Sequence, residues 1–408
     1  MTAAVALLTT RMVVDAVGVS GYALYALIIT LPAVMPLGDL GIGAAIVQAV
    51  AQSRGGDPQI LLRAVTSAAR TLLVVGLLIA CAGVVPACFG LWQSLLGHAA
   101  GPEADAAVAV ALTLFGCSTF LSLGRTVLFA LDRMHLTLLL QGAGSLLALL
   151  LVLLAVNVDA PVAVLVAPGF LTQCAVGAAC LVWAGRLFHI PLWKVVAECV
   201  QPRQAGVRIR HLAAPMAVIG IGTALTYSTD RLVLSHVTDH VAVATYSAAA
   251  QLFTPAAGLL SAAAMPLWVI FARQRQSADE QPDRRALVRL MGYFAIGGIT
   301  IALGLLLLGP TVASWMTHGR IPVGTTLMSA FAALLLVQAV YYPVGMWLTD
   351  APGLRFQAIT VTLMTAVNLV LSVLLADLVG TPGPVIASVL SFTAVVLVPN
   401  ARRALSHA

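Results

Sequence analysis

The sequence predicts an all-α polytopic membrane protein, with about twelve transmembrane helices in two six-helix lobes related by a pseudo-two-fold axis along the membrane normal. Three observations predict it. Of the 408 residues 61% are hydrophobic and only 9% charged, where a soluble domain carries about 25% charged residues. Stretches of about 20 apolar residues recur along the whole chain, which is the length a helix needs to cross a bilayer. Finally, the arginines gather in alternate connections, as a chain that crosses repeatedly with its basic loops on one side requires.

The spans read in order as 1–19, 22–51, 65–92, 105–130, 135–157 and 161–185, then 211–236, 241–272, 288–313, 323–349, 355–377 and 382–400. The first ten residues hold no Lys or Arg, so there is no basic leader region and the first span is expected to stay as a membrane helix. Connections 52–64, 131–134, 186–210, 273–287 and 350–354 and the tail 401–408 carry nearly all the cations, among them Arg203, Arg208, Arg273 and Arg285. The alternate connections offer only Arg320, which places both termini in the cytoplasm. The longest connection contains Pro191 and Pro202 and divides the chain. The expected organisation is therefore an N-lobe over 1–188, a cytoplasmic linker over 189–210 and a C-lobe over 211–408.

The two halves echo each other. Thr9-Thr10-Arg11-Met12-Val13-Val14 matches Thr229-Asp230-Arg231-Leu232-Val233-Leu234, and a tyrosine follows each, Tyr22 or Tyr246. Eight residues beyond each tyrosine stands a threonine with a proline nearby, Thr30 with Pro32 and Thr254 with Pro255. Six spans per half makes this a parallel repeat, a plan that places a transport path between halves.

Charges inside the spans are the informative positions, because each costs about 2.5–3.5 kcal/mol at a helix centre. Arg11 and Asp15 lie four apart on one helix face and can partly neutralise each other. Asp230 and Arg231 fall near the outer end of the seventh span. Asp39 sits mid-span between Gly38 and Gly41, downstream of Pro32 and Pro36. The prolines remove helix hydrogen bonds, so a bend is expected there, with Asp39 capping a half-helix, facing a wet cavity, or both. Other classes lose support. The six cysteines have no CxxC spacing, and His98, His236, His240 and His318 have no metal spacing, so neither a metal nor a cofactor is expected. The net charge of +6 is a membrane-topology signal and implies no nucleic acid.

Arg11 followed by Gly21-Tyr22-Ala23-Leu24-Tyr25-Ala26 and Leu37-Gly38-Asp39-Leu40-Gly41 resembles the opening of the bacterial polysaccharide flippases of the multidrug/oligosaccharidyl-lipid/polysaccharide exporter superfamily. Thr229-Asp230-Arg231-Leu232-Val233-Leu234 with Ala244-Thr245-Tyr246-Ser247, and Leu128-Phe129-Ala130-Leu131-Asp132-Arg133, are similar to later segments of that family. Family members carry a longer segment before the position of Arg11, so either the first helix is short or the start lies upstream. The resemblance implies two V-shaped six-helix bundles in the bacterial inner membrane. They would move a prenyl-diphosphate-linked oligosaccharide from the cytoplasmic to the outer leaflet by alternating access, as a transporter and not an enzyme.

Under that reading Arg11 and Arg231, with Tyr22 and Tyr246, are the expected substrate-binding residues, since a guanidinium pairs bidentately with phosphate oxygens. Asp39, Asp15 and Asp230 are the expected coupling or cavity acids, exchanging H+ or Na+. Membrane lipids are the other expected partners, and the working unit is expected to be a monomer. A multidrug/cation antiporter of the same superfamily is the alternative, favoured by a cavity rich in acids. A membrane glycosyltransferase or polymerase is a weaker one, because the outer loops are short for a catalytic domain.

Overall fold

The computed structural model describes residues 2–34, 58–97, 100–131, 133–188, 210–276 and 284–406. Among them there is no strand. The helices are α1 (Thr2–Val34), α2 (Pro58–Cys88), α3 (Leu91–Leu96), α4 (Ala104–Leu121), α5 (Leu123–Ala130), α6 (Met134–Asn157) and α7 (Val162–Phe188). They continue as α8 (Arg210–Val237), α9 (His240–Gln276), α10 (Arg284–Thr317), α11 (Thr325–Trp347), α12 (Ala351–Val379) and α13 (Gly383–Ser391). A π-helical turn over Phe392–Leu397 then leads into α14 (Val398–Ser406).

Ten of these stretches are long and apolar enough to cross a membrane, so the protein is a multi-pass membrane protein. That count is of the described residues, which leave out 35–57 and with them most of the span expected at 22–51. Helix α1 runs on past the connection expected between residues 19 and 22, so Thr2–Val34 is one helix, broken at Gly18, whose φ of 69° and ψ of −170° interrupt the α geometry. Helix α8 is 28 residues long but carries Asp230 and Arg231 together with several hydroxyl residues, which lowers its hydropathy. The other expected boundaries agree with the described helices to within about two turns.

The chain divides into two compact units, one of residues 1–96 and 100–217, the other of 97–99 and 218–408. In the first unit α2 and α4 cross closely. A Cβ placed on Gly76 would meet the Gly116 carbonyl oxygen at 2.4 Å, and one on Gly116 would meet the Gly76 oxygen at 2.3 Å. Lipid supplies no hydrophobic drive between helices, so such small-residue crossings hold the bundle through backbone van der Waals contact. A core of Ala69, Leu72, Leu123, Leu128 and Cys180 packs beside it. Two acids at the start of α4 act as caps for other helices: the Glu103 carboxylate accepts the Val162 N–H at the start of α7 (2.7 Å), and that of Asp105 accepts the Trp92 N–H at the start of α3 (3.0 Å).

In the second unit Phe271, Leu287, Val344, Trp347 and Ala404 bring α9, α10, α11 and α14 together at one end. The π-turn has a local cause in Pro399. This residue has no N–H, and its ring would strike the carbonyl four residues back in an ordinary α turn; a widened turn relieves the clash. Between α12 and α13 the chain reverses through Gly380, at φ 75°, and Gly383 sits where a Cβ would lie 2.2 Å from the Leu375 carbonyl oxygen. That tight reversal sets the facing surfaces of α12 and α13 against each other.

Candidate functional site: a buried polar network around Asp230

One face of α8 presents Gly222, Thr226 and Asp230 at four-residue intervals. It lies on α12. A Cβ on Gly222 would come within 2.6 Å of Val361, the Thr365 hydroxyl donates to the Gly222 carbonyl at 3.0 Å, and the Thr226 and Thr365 hydroxyls are 3.1 Å apart. Two turns of polar contact thus fix the register that carries Asp230 against the next polar rung of α12, Asn368 and Ser372. The α12–α13 reversal supplies Ser388 and Ser391, and α9 supplies Tyr246.

The carboxylate of Asp230 is 1% exposed. The Tyr246 hydroxyl donates to Oδ2 at 2.8 Å, and those of Ser388 and Ser372 reach Oδ2 at 3.5 Å and Oδ1 at 3.4 Å. The Asn368 amide donates to Ser388 at 2.9 Å and to Ser391 at 3.3 Å, while its oxygen lies 3.4 Å from the Ser372 hydroxyl. Counting protons decides what this arrangement can do. Ser372 has one hydroxyl proton for two acceptors, Asp230 and Asn368, so one of them goes without. Only the tyrosine bond is short; bonds of 3.4–3.5 Å are weak for O–H···O. A carboxylate with about four acceptor sites is therefore under-supplied, and the oxygens around it offer a place for one more positive charge. Among the described residues no group of three His, Cys, Asp or Glu is gathered, so the donor set is one carboxylate with amide and hydroxyl oxygens. Hard oxygen donors of that kind suit a proton or a small hard cation and not a transition metal.

Arg231 follows Asp230 but points elsewhere on the helix. Its guanidinium carbon stands 5.9 Å from the centre of the Tyr246 ring, and its Nε is enclosed with no hydrogen-bond partner among the described residues. Tyr246 thus touches both charges, with its hydroxyl on Asp230 and its ring face toward Arg231, and its ring centre lies 5.3 Å from that of Phe331. In the first unit Arg11 is half-buried and Asp15 exposed, both on α1 before the Gly18 break. Tyr22 lies beyond the break, buried, with its ring 6.4 Å from that of Tyr25. Asp39 lies outside the described residues.

Of the residues the sequence singles out, the structure joins Asp230, Arg231 and Tyr246 in one cluster. Sequence reasoning missed Asn368, Ser372, Ser388 and Ser391, because it followed charge and these are neutral. The available signal was spacing: Asn368 and Ser372 are four apart, Ser388 and Ser391 three apart, within apolar spans.

Comparison with solved structures finds the same fold in proteins described as transporters and a flippase. The chain is similar to an inward-facing multidrug resistance MATE family transporter of the MOP superfamily, at TM-score 0.70 and 16% identity over 99% of this chain and 92% of that one. It is similar to the lipid II flippase MurJ in its inward closed conformation, at TM-score 0.73 and 11% identity over 99% and 85% of the two chains. The MATE transporter VcmN of Vibrio cholerae in its bent form shares the fold at TM-score 0.56 and 16% identity over 99% and 94%. No curated protein sequence matches the chain. A family model described as polysaccharide biosynthesis protein matches residues 1–272, two-thirds of the sequence, and the chain belongs to that family.

Proposed function

We propose that the protein moves a prenyl-diphosphate-linked oligosaccharide from the cytoplasmic to the outer leaflet of the bacterial inner membrane, with loading of the Asp230 network by H+ or Na+ driving the cycle. The lobes of 1–188 and 211–408, joined by the 189–210 linker with both termini cytoplasmic, would alternate access to the two sides. Membership of a polysaccharide biosynthesis family supports a saccharide cargo, and the fold it shares with a protein described as a lipid II flippase supports a lipid carrier for it. The single observation that carries the coupling assignment is the under-supplied carboxylate of Asp230, 1% exposed and held by three hydroxyl groups, two of them at long range.

In this reading Tyr246 links the two tasks. Loading Asp230 frees or engages the tyrosine hydroxyl, and the ring beside Arg231 carries that change to the cation that binds the diphosphate. Arg11, Tyr22, Asp15 and Asp39 serve the headgroup path of the N-lobe. The protein works as a monomer among membrane lipids, without a cofactor.

The test uses the purified protein in vesicles loaded with a short-chain prenyl-diphosphate-linked disaccharide, with headgroup exposure on the far side as the readout. Translocation that depends on the protein and on a proton or sodium gradient is expected. Extrusion of an organic cation such as ethidium, with no movement of the saccharide lipid, would reject the flippase in favour of the multidrug antiporter.

A further inference from the structure

Helix α10 carries a second feature, unrelated to Asp230. It opens with Arg284 and Arg285 and adds Arg289 one turn later, all three exposed. A recess of about 630 Å3 is lined, among the described residues, by Arg284, Arg285, Val288 and Arg289. Arg289 Nε lies back toward the Arg285 carbonyl at 3.4 Å, which keeps its guanidinium near the first turn of the helix. From this cluster one face runs on at helical spacing through Tyr293, Ile296, Ile299, Leu303 and Leu307, each exposed, Leu307 the most at 78%. From residue 289 to 307 that face is about 27 Å long, close to the hydrocarbon thickness of a bilayer leaflet pair. Only 11% of the most apolar window of this helix is buried, the lowest share among the ten spans.

An exposed apolar face alone says only that lipid surrounds it. Helix α6 has one as well, through Leu139, Leu150 and Leu154, yet Arg133 is its only arginine at the equivalent basic end. The arginines distinguish α10. Asp279, Glu280 and Asp283 precede them and Arg273 and Arg275 lie just before those acids, so the segment 273–289 keeps five cations against three anions. Three guanidiniums at the end of an exposed apolar strip match a phosphodiester headgroup, with an acyl chain against the half of the strip nearest to it. We propose that this face of α10 is a binding site for an anionic glycerophospholipid, its phosphate on Arg284, Arg285 and Arg289 and its acyl chain along Tyr293, Ile296 and Ile299, the half of the strip in the same leaflet. Arginine favours such a site over lysine because its planar fork engages two phosphate oxygens at once. The site needs only that the protein sits in a membrane, and it stands whatever cargo is moved.

The experiment is native mass spectrometry of the full chain released from mixed micelles holding equal amounts of phosphatidylglycerol, phosphatidylcholine and undecaprenyl phosphate. The wild type is expected to retain phosphatidylglycerol over phosphatidylcholine. Each of R284Q, R285Q and R289Q should lower that preference by about fivefold, and the triple variant should abolish it. R133Q should leave it unchanged. The three side chains are exposed, so the variants should fold, and the single substitutions carry the test if the triple one does not. Equal preference in the wild type and the three single variants would overturn the proposal. So would arginine-dependent retention of undecaprenyl phosphate in place of the phospholipid, which would assign the site to the carrier of the cargo.

Discussion

Thr10 and Asp230 occupy matching places in the two echoed segments and are buried to the same degree, 3% and 1% exposed, yet they satisfy their polar atoms in opposite ways. The Thr10 hydroxyl donates to the Ala6 carbonyl of its own helix at 3.0 Å and asks nothing of its neighbours. Asp230 has no proton to donate when ionised and no acceptor role inside its helix. It draws donors from α9, α12 and α13 instead. A hydroxyl is self-sufficient in a membrane helix; a carboxylate dictates the residues on three others. The echoed segments therefore share the arginine, but only the second sets an acid directly beside it.

Breaking the comparison at its acid end should have the largest effect. Asp230→Asn keeps the shape and one carbonyl oxygen, so the protein should insert and fold, yet gradient-driven translocation should fall to the level of empty vesicles. Thr10→Ala in the same assay should stay near wild type, since it removes one bond within a helix.

Copying the acid into the first segment sharpens the contrast from the other side. Thr10→Asp would bury a carboxylate where, among the described residues, no other helix donates to that position. It should cost about 2.5–3.5 kcal/mol of insertion or folding free energy. A thermal-unfolding series in detergent reads this directly, and an unchanged midpoint would show that the N unit tolerates acid at this place.

Tyr246→Phe comes next. It deletes the one short bond to the carboxylate, worth about 1.5–3 kcal/mol for a bond to a charged group. The ion concentration for half-maximal transport should shift by about tenfold to a hundredfold. Because the tyrosine ring also borders Arg231, the apparent affinity for the saccharide lipid should change too. Loss of ion dependence with no change in cargo affinity would separate the two charges that Tyr246 touches. The smallest effect is expected of Ser372→Ala, whose 3.4 Å bonds are long; about 0.5–1.5 kcal/mol or less should be lost, with transport retained.

The sequence revealed the span pattern well because hydropathy and arginine placement act on whole segments. Helix α9 over His240–Gln276 was expected at 241–272, whereas the connection expected between residues 19 and 22 lies inside α1, which breaks only at Gly18. Less legible were features set by tertiary contact. The tight reversal at Gly383, where a Cβ would meet the Leu375 carbonyl oxygen, depends on how α12 and α13 close on each other. The capping work of Glu103 and Asp105 depends on which helix end lies nearby, which loop composition does not state. In the site itself, Asp230 and Arg231 stood out through the cost of burying charge. Asn368, Ser372, Ser388 and Ser391 did not, since a neutral polar residue in a membrane helix is common and its meaning depends on what it faces.

The central claim is that the cluster around Asp230 takes up the ion that drives transport. The most direct measurement is ion-coupled translocation of the saccharide lipid in vesicles by the wild type and by Asp230→Asn, with a proton or a sodium gradient imposed in turn and folding checked for both. The account predicts that one gradient accelerates the wild type and that neither accelerates Asp230→Asn. Equal acceleration of the two proteins by the same gradient would contradict it.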